Sequence, residues 1–394
     1  MRSSSFAFFR GASAVMAGDL AATPVSGLPV QLSGDAHLLN FGGFASPERA
    51  LVFDLNDFDE TLRGPFEWDV KRLATSLEIA GRERNFALAQ RRRAVRSAVR
   101  SYRAAMRKFA GMGDLDVWYS RLDADTLNAD LDGSHDRKLD RALRRSEASA
   151  YRHDSLLAES KLTHAVDGTR RFVSRPPLIV PIEDPSPLLQ DLFERYLKSL
   201  PPDRRTLLER FRYVDLARKV VGVGSVGTRC WIALLVGRDQ HDPLVLQIKE
   251  AQASVLEARL DASPNAAHGQ RIVEGQRLMQ AASDIFLGWV HSDEEIEGGA
   301  RDFYVRQLWD WKFSIHMETI YPRGLEAYAR ACGWTLARAH ARTGDRVAIA
   351  AYLGGGDNFD SALVEFASSY ADLNEQDHRA LVAESPATAV PAGV

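Results

Sequence analysis

The chain has 394 residues and a formal net charge of -3, and 45% of its residues are hydrophobic and 26% are charged. These values are typical of a folded globular protein, and the small net charge argues against a nucleic-acid binder that acts through bulk charge. The two cysteines, Cys230 and Cys332, lie far apart in sequence, which excludes a disulfide framework and a cysteine-rich zinc site and fits a reducing cytosol.

The first predicted element is an N-terminal amphipathic helix. Its apolar stretch is interrupted by Arg10, Gly11 and Ser13, a pattern that does not fit a signal peptide. Apolar runs elsewhere are strand-sized and stay below the ~20 residues of a membrane span. We therefore expect a cytoplasmic protein with no membrane partner.

Residues 28–60 are predicted to contain strands that end in acidic or polar residues. The motif GDAHLLN places Asp35 and Asn40 on one predicted loop, and Asp57 follows the next predicted strand. Phosphoryl transfer requires a carboxylate that orients the attacking hydroxyl and side-chain oxygens that hold Mg²⁺ on the phosphates. Asp35 is therefore a candidate catalytic base, and Asn40 and Asp57 are candidate metal ligands. The alternative is an ordinary turn, since Asp, Asn and Gly are common turn residues.

GDAHLLN resembles the catalytic loop of aminoglycoside and choline phosphotransferases, whose pattern is HGDxHxxN, except that Ser33 stands at the leading His. In that family an IDF or IDW motif, a GP-containing stretch and a DLA-type helix start follow, and NDFDETLRGPFEWDVKRLA has the same order. The resemblance implies the roles given above for the three residues, and it implies that Asp69, at the helix start, braces the loop. Asp54 and Asp59 are alternative candidates for the metal role.

The helical pattern that begins at Trp68 extends to about Met112 and carries a stripe of arginines. Five of them share one face by the 3.6-residue period, namely Arg93, Arg96, Arg100, Arg103 and Arg107. The stripe either binds an anionic substrate or RNA or is a solvated face balanced by the Asp-rich segment at 114–132. Beyond it, we predict helices with loops, a proline-rich connector around the strand LIVPI, and two helices up to about Phe211.

The pattern then becomes strand-rich over residues 213–310, beginning with a glycine motif. GVGSVG contains Gly222, Gly224, Ser225 and Gly227 in GxGxxG spacing. A Rossmann loop would open into a helix, whereas the following TRCWIALLVG predicts a strand, and a turn and a second strand, PLVLQIKEA, come next. This order resembles the glycine-rich loop of protein kinases, with VLQIK similar to the VAIK motif.

The kinase resemblance implies that the glycine loop binds ATP and that Lys249 contacts the α- and β-phosphates. Such a lysine requires an acidic partner, and the helix predicted near 265–282 offers Glu274, with Glu257 as the alternative. Without that context, a lysine at a strand end is an ordinary solvated side chain.

The C-terminal part begins with FYVRQLWD, which resembles a kinase hinge. Here Arg306, Asp310 and Lys312 either contact substrate or form ion pairs. Two further helices are predicted from GLEAYARACGWTLARAHA and DSALVEFASSYADL, and the last ten or so residues are expected to fray. His37 and His340 are isolated and are interpreted as structural.

The predicted fold class is α+β, a two-lobed protein-kinase-like fold with a small antiparallel sheet lobe and a large, mainly helical lobe. Residues 1–207 form the first part of the helical lobe, residues 208–308 form the nucleotide-binding lobe, and residues 309–394 contain the hinge and complete the helical lobe. The glycine loop precedes the catalytic loop in ordinary kinases but follows it here. Circular permutation explains this order; two unrelated half-motifs are the alternative.

Sequence blocks along roughly residues 6–375 resemble one bacterial family, domain of unknown function 2252. These blocks are FFRGASAVMAGDL, GDAHLLNFGGF, FDLNDFDETLRGPFEWDVKRLA, ARKVVGVGSVGTR, LQIKEA, EGQRLMQAASDIFLGW, YVRQLWDWK and LARAHARTGD. The resemblance implies membership and little about activity.

The sequence thus predicts an ATP- and Mg²⁺-dependent phosphotransferase that acts on an unidentified hydroxyl-bearing small molecule or protein. The alternatives are a nucleotidyl transferase that moves AMP and a nucleotide-binding scaffold without turnover. Retention of the lysine, the base and the metal ligands favours catalysis, because binding alone requires no base.

Overall fold

The structure is a computed structural model that describes residues 1–123, 162–166, 169–182, 187–220, 228–293, 299–308 and 316–384. It has mixed α+β architecture with antiparallel sheets and many helices, as the sequence predicts. The kinase-like, permuted arrangement remains a prediction.

The described helices are α1 (Ser5–Gly11), α2 (Ser13–Ala21), α3 (Phe66–Glu83), α4 (Leu88–Ala110), α5 (Asp114–Tyr119), α6 (Pro187–Ser199), α7 (Pro202–Leu208), α8 (His268–Met279), α9 (Pro322–Ala341), α10 (Arg346–Leu353) and α11 (Asn358–Glu384). The described strands are β1 (Pro29–Leu32), β2 (Phe41–Ala45), β3 (Leu51–Leu55), β4 (Leu62–Pro65), β5 (Leu122–Asp123), β6 (Thr163–Val166), β7 (Thr169–Phe172), β8 (Ile179–Pro181), β9 (Arg212–Lys219), β10 (Cys230–Val236), β11 (Pro243–Ala251), β12 (Gly288–Ser292) and β13 (Arg301–Gln307).

The largest sheet has six strands in the order β12–β13–β11–β10–β9–β8, and all its neighbouring pairs are antiparallel. Five of these strands lie between Arg212 and Gln307, the segment with the strand-rich pattern, and β8 joins the edge from the proline-rich connector. Helix α8 follows β11 in the chain and contacts β11, β12 and β13.

The central strand β10 explains why this sheet is covered on both faces. Because successive side chains of a strand point to opposite faces, its sequence CWIALLV places apolar residues on each. Ile232 and Leu234 pack in one apolar cluster with Phe172 of β7, whereas Leu235 packs in another with Tyr196 of α6.

Two smaller β elements surround the GDAHLLN loop. Strand β1 leads into it and pairs with β4, and β2 leaves it and pairs antiparallel with β3. Phe41 and Leu55 pair at the end of the β2–β3 hairpin that is farther from the turn. Next to this pair, Asn56 N donates to Asn40 O at 2.8 Å. The hairpin therefore brings the end of the loop next to the segment that contains Asp57.

The main apolar core is built from both ends of the chain. It joins buried side chains of α1–α4 with those of α9–α11. Helices α4 and α9 lie so close that a Cβ on Gly333 would be 2.1 Å from the carbonyl oxygen of Ala98. The ends also touch directly, because the Asn374 side-chain amide donates to Ser5 O at 3.1 Å.

The N-terminal segment differs from its predicted form, since two short helices replace one. Helix α1 ends and α2 begins around Ala12, whose φ of -113° and ψ of 33° are not helical. Phe6, Phe8 and Phe9 are all buried, so α1 contributes three aromatic rings to the interior. Within the described residues, no helix has the length and apolar character to cross a membrane.

Candidate active site

The GDAHLLN loop has a backbone that requires glycine at position 34. Gly34 has a φ of +84°, and a Cβ there would lie 2.1 Å from the carbonyl oxygen of Glu60. Only glycine adopts this conformation without strain and permits this approach. The loop therefore packs against the Asp57–Glu60 segment. The Ser33 hydroxyl also donates a hydrogen bond to Asp57 O of this segment at 3.4 Å.

Three side chains on one face of α3 hold the loop from the other side. Asp69, Arg72 and Ser76 are spaced by three and four residues, which aligns them on a helix. Asp69 accepts hydrogen bonds from the amides of Ser33 at 2.7 Å and Gly34 at 3.1 Å. Arg72 binds the side chain of Asp35, and the Ser76 hydroxyl accepts from Leu38 N at 3.0 Å. The loop and the helix face thus run alongside each other.

Asp69 is itself held by His340 from α9. His340 is fully buried, with Nε2 3.2 Å from Asp69 Oδ2 and Nδ1 2.9 Å from the Tyr102 hydroxyl. The interpretation of His340 as a structural residue fits these contacts. Asp69 lies where the bracing hypothesis requires, between the loop and the core.

Asp35, the candidate base, is partly accessible. Its side chain is 19% exposed, and Oδ1 accepts from Arg72 Nε at 2.7 Å. Its backbone carbonyl accepts from the Asn40 amide nitrogen at 2.7 Å, which fixes the orientation of the buried Asn40 side chain. This use of the nitrogen leaves the side-chain oxygen of Asn40 as the atom suited to a metal.

Asp57 and Asp59 lie together with Lys249, which belongs to β11. Lys249 Nζ donates to Asp59 Oδ2 at 2.6 Å, and the Tyr304 hydroxyl donates to Asp59 Oδ1 at 2.6 Å. Within the described part of the chain, the Asp57 carboxylate accepts a 3.2 Å hydrogen bond from Asp59 N. Lys249 is buried, with 6% of its side chain exposed.

The pKa values of the two carboxyls shift in opposite directions. Burial, followed by the neighbouring Asp59 charge, raises the pKa of Asp57. Burial is the largest effect and works against ionisation of Asp59, but the Lys249 charge, the hydrogen bonds from Lys249 and Tyr304 and the Arg306 charge together outweigh it and lower the pKa of Asp59. The pKa of Lys249 is raised because Asp59, Tyr304 and Asp57 together outweigh its burial. Lys249 is therefore an ammonium within electrostatic reach of both acids.

Arg306 of β13 adds a second cation near Asp57. Its Nη1 donates to Asn56 O at 3.1 Å, and its positive charge lowers the pKa of Asp57. The guanidinium borders a cavity of about 40 Å³ lined by Phe44, Ala45, Asn56, Gln276, Gln280, Asp284, Arg306 and Gln307. This cavity therefore lies beside Asn56, the residue before the candidate metal ligand Asp57.

The oxygens of Asp57 and Asn40 are the candidate ligands for a magnesium ion. Mg²⁺ is usually bound through one or two carboxylates together with substrate phosphates and water. Asp57 is a half-buried carboxylate without a cation in direct contact among the described residues, and the amide oxygen of Asn40 is the other candidate ligand. No group of three or more His, Cys, Asp or Glu in the described part of the chain is arranged to hold a metal. A Mg²⁺ ion held by Asp57 and Asn40 would need further ligands from phosphates or water.

The predicted partner of Lys249 is wrong in the structure. Glu274 is exposed on α8 and accepts from Asn265 at 2.6 Å and Gln270 at 2.7 Å. The alternative, Glu257, lies 3.8 Å from Arg271. Asp59, in the segment after β3, is the acidic partner of Lys249 instead.

Asp54, an alternative metal candidate, has structural contacts instead. It forms a buried ion pair with Arg338 of α9 and accepts from Ala281 N at 2.8 Å. The glycine-loop residues Gly222, Gly224, Ser225 and Gly227 lie outside the described residues, as do Asp310 and Lys312.

The arginine stripe on α4 is divided between ion pairs and solvent. Arg103 pairs with the buried Asp360 at 2.8 Å, and Arg107 donates to Gly354 O. Arg93 lies 3.8 Å from Glu326, whereas Arg96 and Arg100 are exposed. The stripe is therefore partly structural, and it lies apart from the contacts described above.

Sequence reasoning missed Arg72, Tyr304 and the role of Asp59 as the lysine's partner. For Arg72 a signal was present, since it follows Asp69 by three residues on the same helix face as the predicted brace. For Tyr304 no local signal exists, because it meets Asp59 only through the pairing of β13 with β11.

Comparison with known families gives one match. A family model described as an uncharacterized protein conserved in bacteria (DUF2252) matches residues 1–384. No curated protein and no solved structure matches the chain.

Proposed function

The chain belongs to the DUF2252 family, and for this member we propose an ATP- and Mg²⁺-dependent phosphotransferase activity. The acceptor is a hydroxyl of a small molecule or a protein. Asp35 orients that hydroxyl, Asn40 and Asp57 hold Mg²⁺ on the phosphates, and Lys249 binds the phosphates.

The main observation behind the proposal is that Lys249 contacts the Asp57–Asp59 segment. The direct contact of Lys249 with Asp59 spans 190 positions in sequence. The two motifs were identified separately, one as a lysine strand and the other as a metal-ligand segment. A kinase-type site requires them to lie face to face, and two unrelated motifs would have no reason to do so.

The order of elements around Lys249 supports the same proposal. Three antiparallel strands, β9 to β11, come first, with the glycine motif between β9 and β10 and the lysine on β11. Helix α8 and two more strands of the same sheet follow. This is the arrangement that the resemblance to the kinase glycine loop implies.

The packing of α1 on α11 supports a helical lobe that is built from both the first and the last described segments, as the permuted order requires. Ser5 and Asn374 are hydrogen-bonded, and α1 packs on α11.

The residues present would divide the work as follows. Bound Mg²⁺ would neutralise charge that develops on the transferred phosphoryl group. Lys249 supplies a buried ammonium. If this ammonium leaves Asp59 to bind the phosphates, the metal or Tyr304 must stabilise the negative charge of Asp59. Asp35 presents Oδ2 to the acceptor, since Oδ1 is bound by Arg72.

Thermal-shift titration with ATP, with and without Mg²⁺, tests the binding step. A ligand at 100 times its Kd stabilises a protein by about 2.7 kcal/mol, so the wild type should melt at a clearly higher temperature with Mg·ATP. Asp57→Ala and Lys249→Ala should lose this shift, whereas the exposed control Lys108→Ala should keep it. Equal shifts in all variants would contradict the assignment.

The labelled product decides between the classes of reaction. With γ-labelled ATP and a panel of hydroxyl compounds, phosphoryl transfer labels the acceptor, whereas nucleotidyl transfer labels it only from α-labelled ATP. Asp35→Asn should lower turnover by about 10²- to 10⁴-fold, the usual range for a general base, and leave Mg·ATP affinity nearly unchanged. Binding without any turnover in the wild type would favour the scaffold.

A further inference from the structure

Arg72 is a buried arginine that connects the candidate base to the N-terminal helix. Its Nε donates to Asp35 Oδ1 at 2.7 Å, and its Nη2 donates to the carbonyl oxygen of Phe9 at 2.7 Å. The guanidinium carbon also lies 3.9 Å from the centre of the Phe9 ring. Only 3% of Arg72 is exposed, so its side chain is fixed by contacts on both sides.

The planar guanidinium suits this position better than any other cation. It donates in a rigid fork and stacks on an aromatic face at the same time. Here one edge of the guanidinium donates a hydrogen bond to Asp35, another edge donates to Phe9 O, and the flat face stacks on the Phe9 ring. Helix α1 therefore determines where the guanidinium lies, and the guanidinium determines where Asp35 Oδ1 lies.

The other neighbour of the Asp35 carboxylate is a neutral histidine. His37 Nδ1 accepts from Leu39 N at 3.2 Å, and His37 Nε2 lies 3.7 Å from Asp35 Oδ2, beyond hydrogen-bond distance. Burial, assisted by Arg72 and Arg10, outweighs the attraction of Asp35 and lowers the pKa of His37 to about 4. Arg72 is thus the cation in direct contact with Asp35 among the described residues.

We propose that Arg72 is a positioning residue for Asp35 and that α1, through Phe9, holds Arg72 in place. This inference rests on the proposed function of Asp35. Arg72 fixes Oδ1 and so directs Oδ2 toward the acceptor hydroxyl. The N-terminal helix is then a part of the active-site scaffold, although none of its residues touches the reacting atoms.

A purely structural ion pair makes different predictions. In that case loss of Arg72 would lower stability, and activity would fall only as far as the folded fraction falls. A positioning residue instead lowers kcat in the folded enzyme and does so only while Asp35 is present to be positioned.

The chain contains a matched control in Arg91. Its Nε donates to the buried carboxylate of Glu78 at 2.9 Å, and its Nη1 donates to Phe86 O at 2.9 Å. It therefore makes the same two kinds of hydrogen bond as Arg72, away from the loop and with a carboxylate of α3 that Arg82 also binds at 2.9 Å. Arg91→Gln measures what the loss of such an arginine does by itself.

The kinetic test uses the full chain and follows phosphate release from Mg·ATP, with water as the acceptor. Arg72→Gln should lower kcat by about 10- to 100-fold and change the KM for ATP less than about threefold, a loss confined to the chemical step. Arg72→Lys should restore part of the rate, because lysine keeps the charge but not the fork or the stacking. Arg91→Gln should leave kcat unchanged at a temperature where both variants are folded.

A double variant shows whether Arg72 acts through Asp35. In the Asp35→Asn background, Arg72→Gln should cause no further loss of kcat. An additive loss, or an equal loss in Arg91→Gln, would overturn the proposal.

Hydrogen exchange separates a failure of this inference from a failure of the proposed function. If the wild type releases no more phosphate than Asp35→Asn, the proposed function fails, and the positioning role is judged by exchange alone. The amides of Ser33, Gly34 and Leu38 should exchange faster in Arg72→Gln and in Phe9→Leu, which keeps an apolar side chain but removes the ring. Unchanged exchange in both variants, or equally faster exchange in Arg91→Gln, would show that α1 does not hold the loop.

Discussion

Replacing Glu60 with Gln should stabilise the protein at pH 8 and have little effect at pH 4.5. The Glu60 carboxyl lies between the GDAHLLN loop and the segment at 254–258, and its Oε2 accepts from Val255 N at 2.7 Å. Burial, together with the charges of Asp59 and Asp35, raises the pKa of Glu60 from 4.5 to about 7. Gln has the same shape, accepts the same hydrogen bond and carries no charge.

The sign and size follow from proton linkage. The folded state binds the Glu60 proton more tightly than the unfolded state, so the wild type loses stability as the pH rises from 4.5 to about 7. One pKa unit corresponds to about 1.4 kcal/mol, so the loss reaches about 3 kcal/mol above pH 7. The Gln variant does not undergo this loss. Its advantage should be about 3 kcal/mol at pH 8, below about 1 kcal/mol at pH 5, and close to zero at pH 4.5.

Urea denaturation of both proteins at pH 4.5, 5, 6, 7 and 8 measures this difference directly. Glu274→Gln, an exposed glutamate on α8, is the control and should match the wild type within about 0.5 kcal/mol at every pH. Equal stability of wild type and Glu60→Gln at pH 8 would refute the reasoning. Lower stability of the variant at pH 8 would mean that a nearby cation such as Arg271 stabilises ionised Glu60.

Three other substitutions have definite expected outcomes. Asp54→Asn leaves the buried Arg338 guanidinium without its carboxylate and should cost about 3–5 kcal/mol in urea denaturation, while the thermal shift caused by Mg·ATP persists. Gly333→Ala places a methyl group 2.1 Å from Ala98 O, so α4 and α9 must separate, and a loss of about 1–3 kcal/mol or more in unfolding free energy is expected. Tyr304→Phe removes a hydrogen bond to a carboxylate and should cost about 1.5–3 kcal/mol in thermal denaturation; an unchanged melting temperature would mean that water replaces the hydroxyl.

The secondary structure was largely predictable because the apolar patterns are regular. CWIALLV and PLVLQIKEA correspond to β10 and β11, and GLEAYARACGWTLARAHA corresponds to α9. The break at Ala12 was not predicted, although Gly11 and Ser13 on its two sides are weaker helix formers than alanine.

The candidate site was predictable where its residues act on nearby backbone. The resemblance to the phosphotransferases implied that Asp69 braces the loop, and Asp69 accepts hydrogen bonds from the amides of Ser33 and Gly34. The partner of Lys249 was not predictable, because a contact across 190 positions depends on how the sheet lies over the β2–β3 hairpin. Local periodicity carries no information about that packing.

The shared core of the two chain ends has a consequence for synthesis on the ribosome. Helix α4 is complete at Ala110, but α9, which packs against it through Gly333, begins only at Pro322. At a translation rate of roughly 5–20 residues per second, synthesis of the chain between α4 and α9 takes about 10–40 s. During this interval the nascent chain exposes core residues such as Val95 and Met106. The protein should therefore depend on chaperones during translation more than a chain whose core forms from consecutive segments.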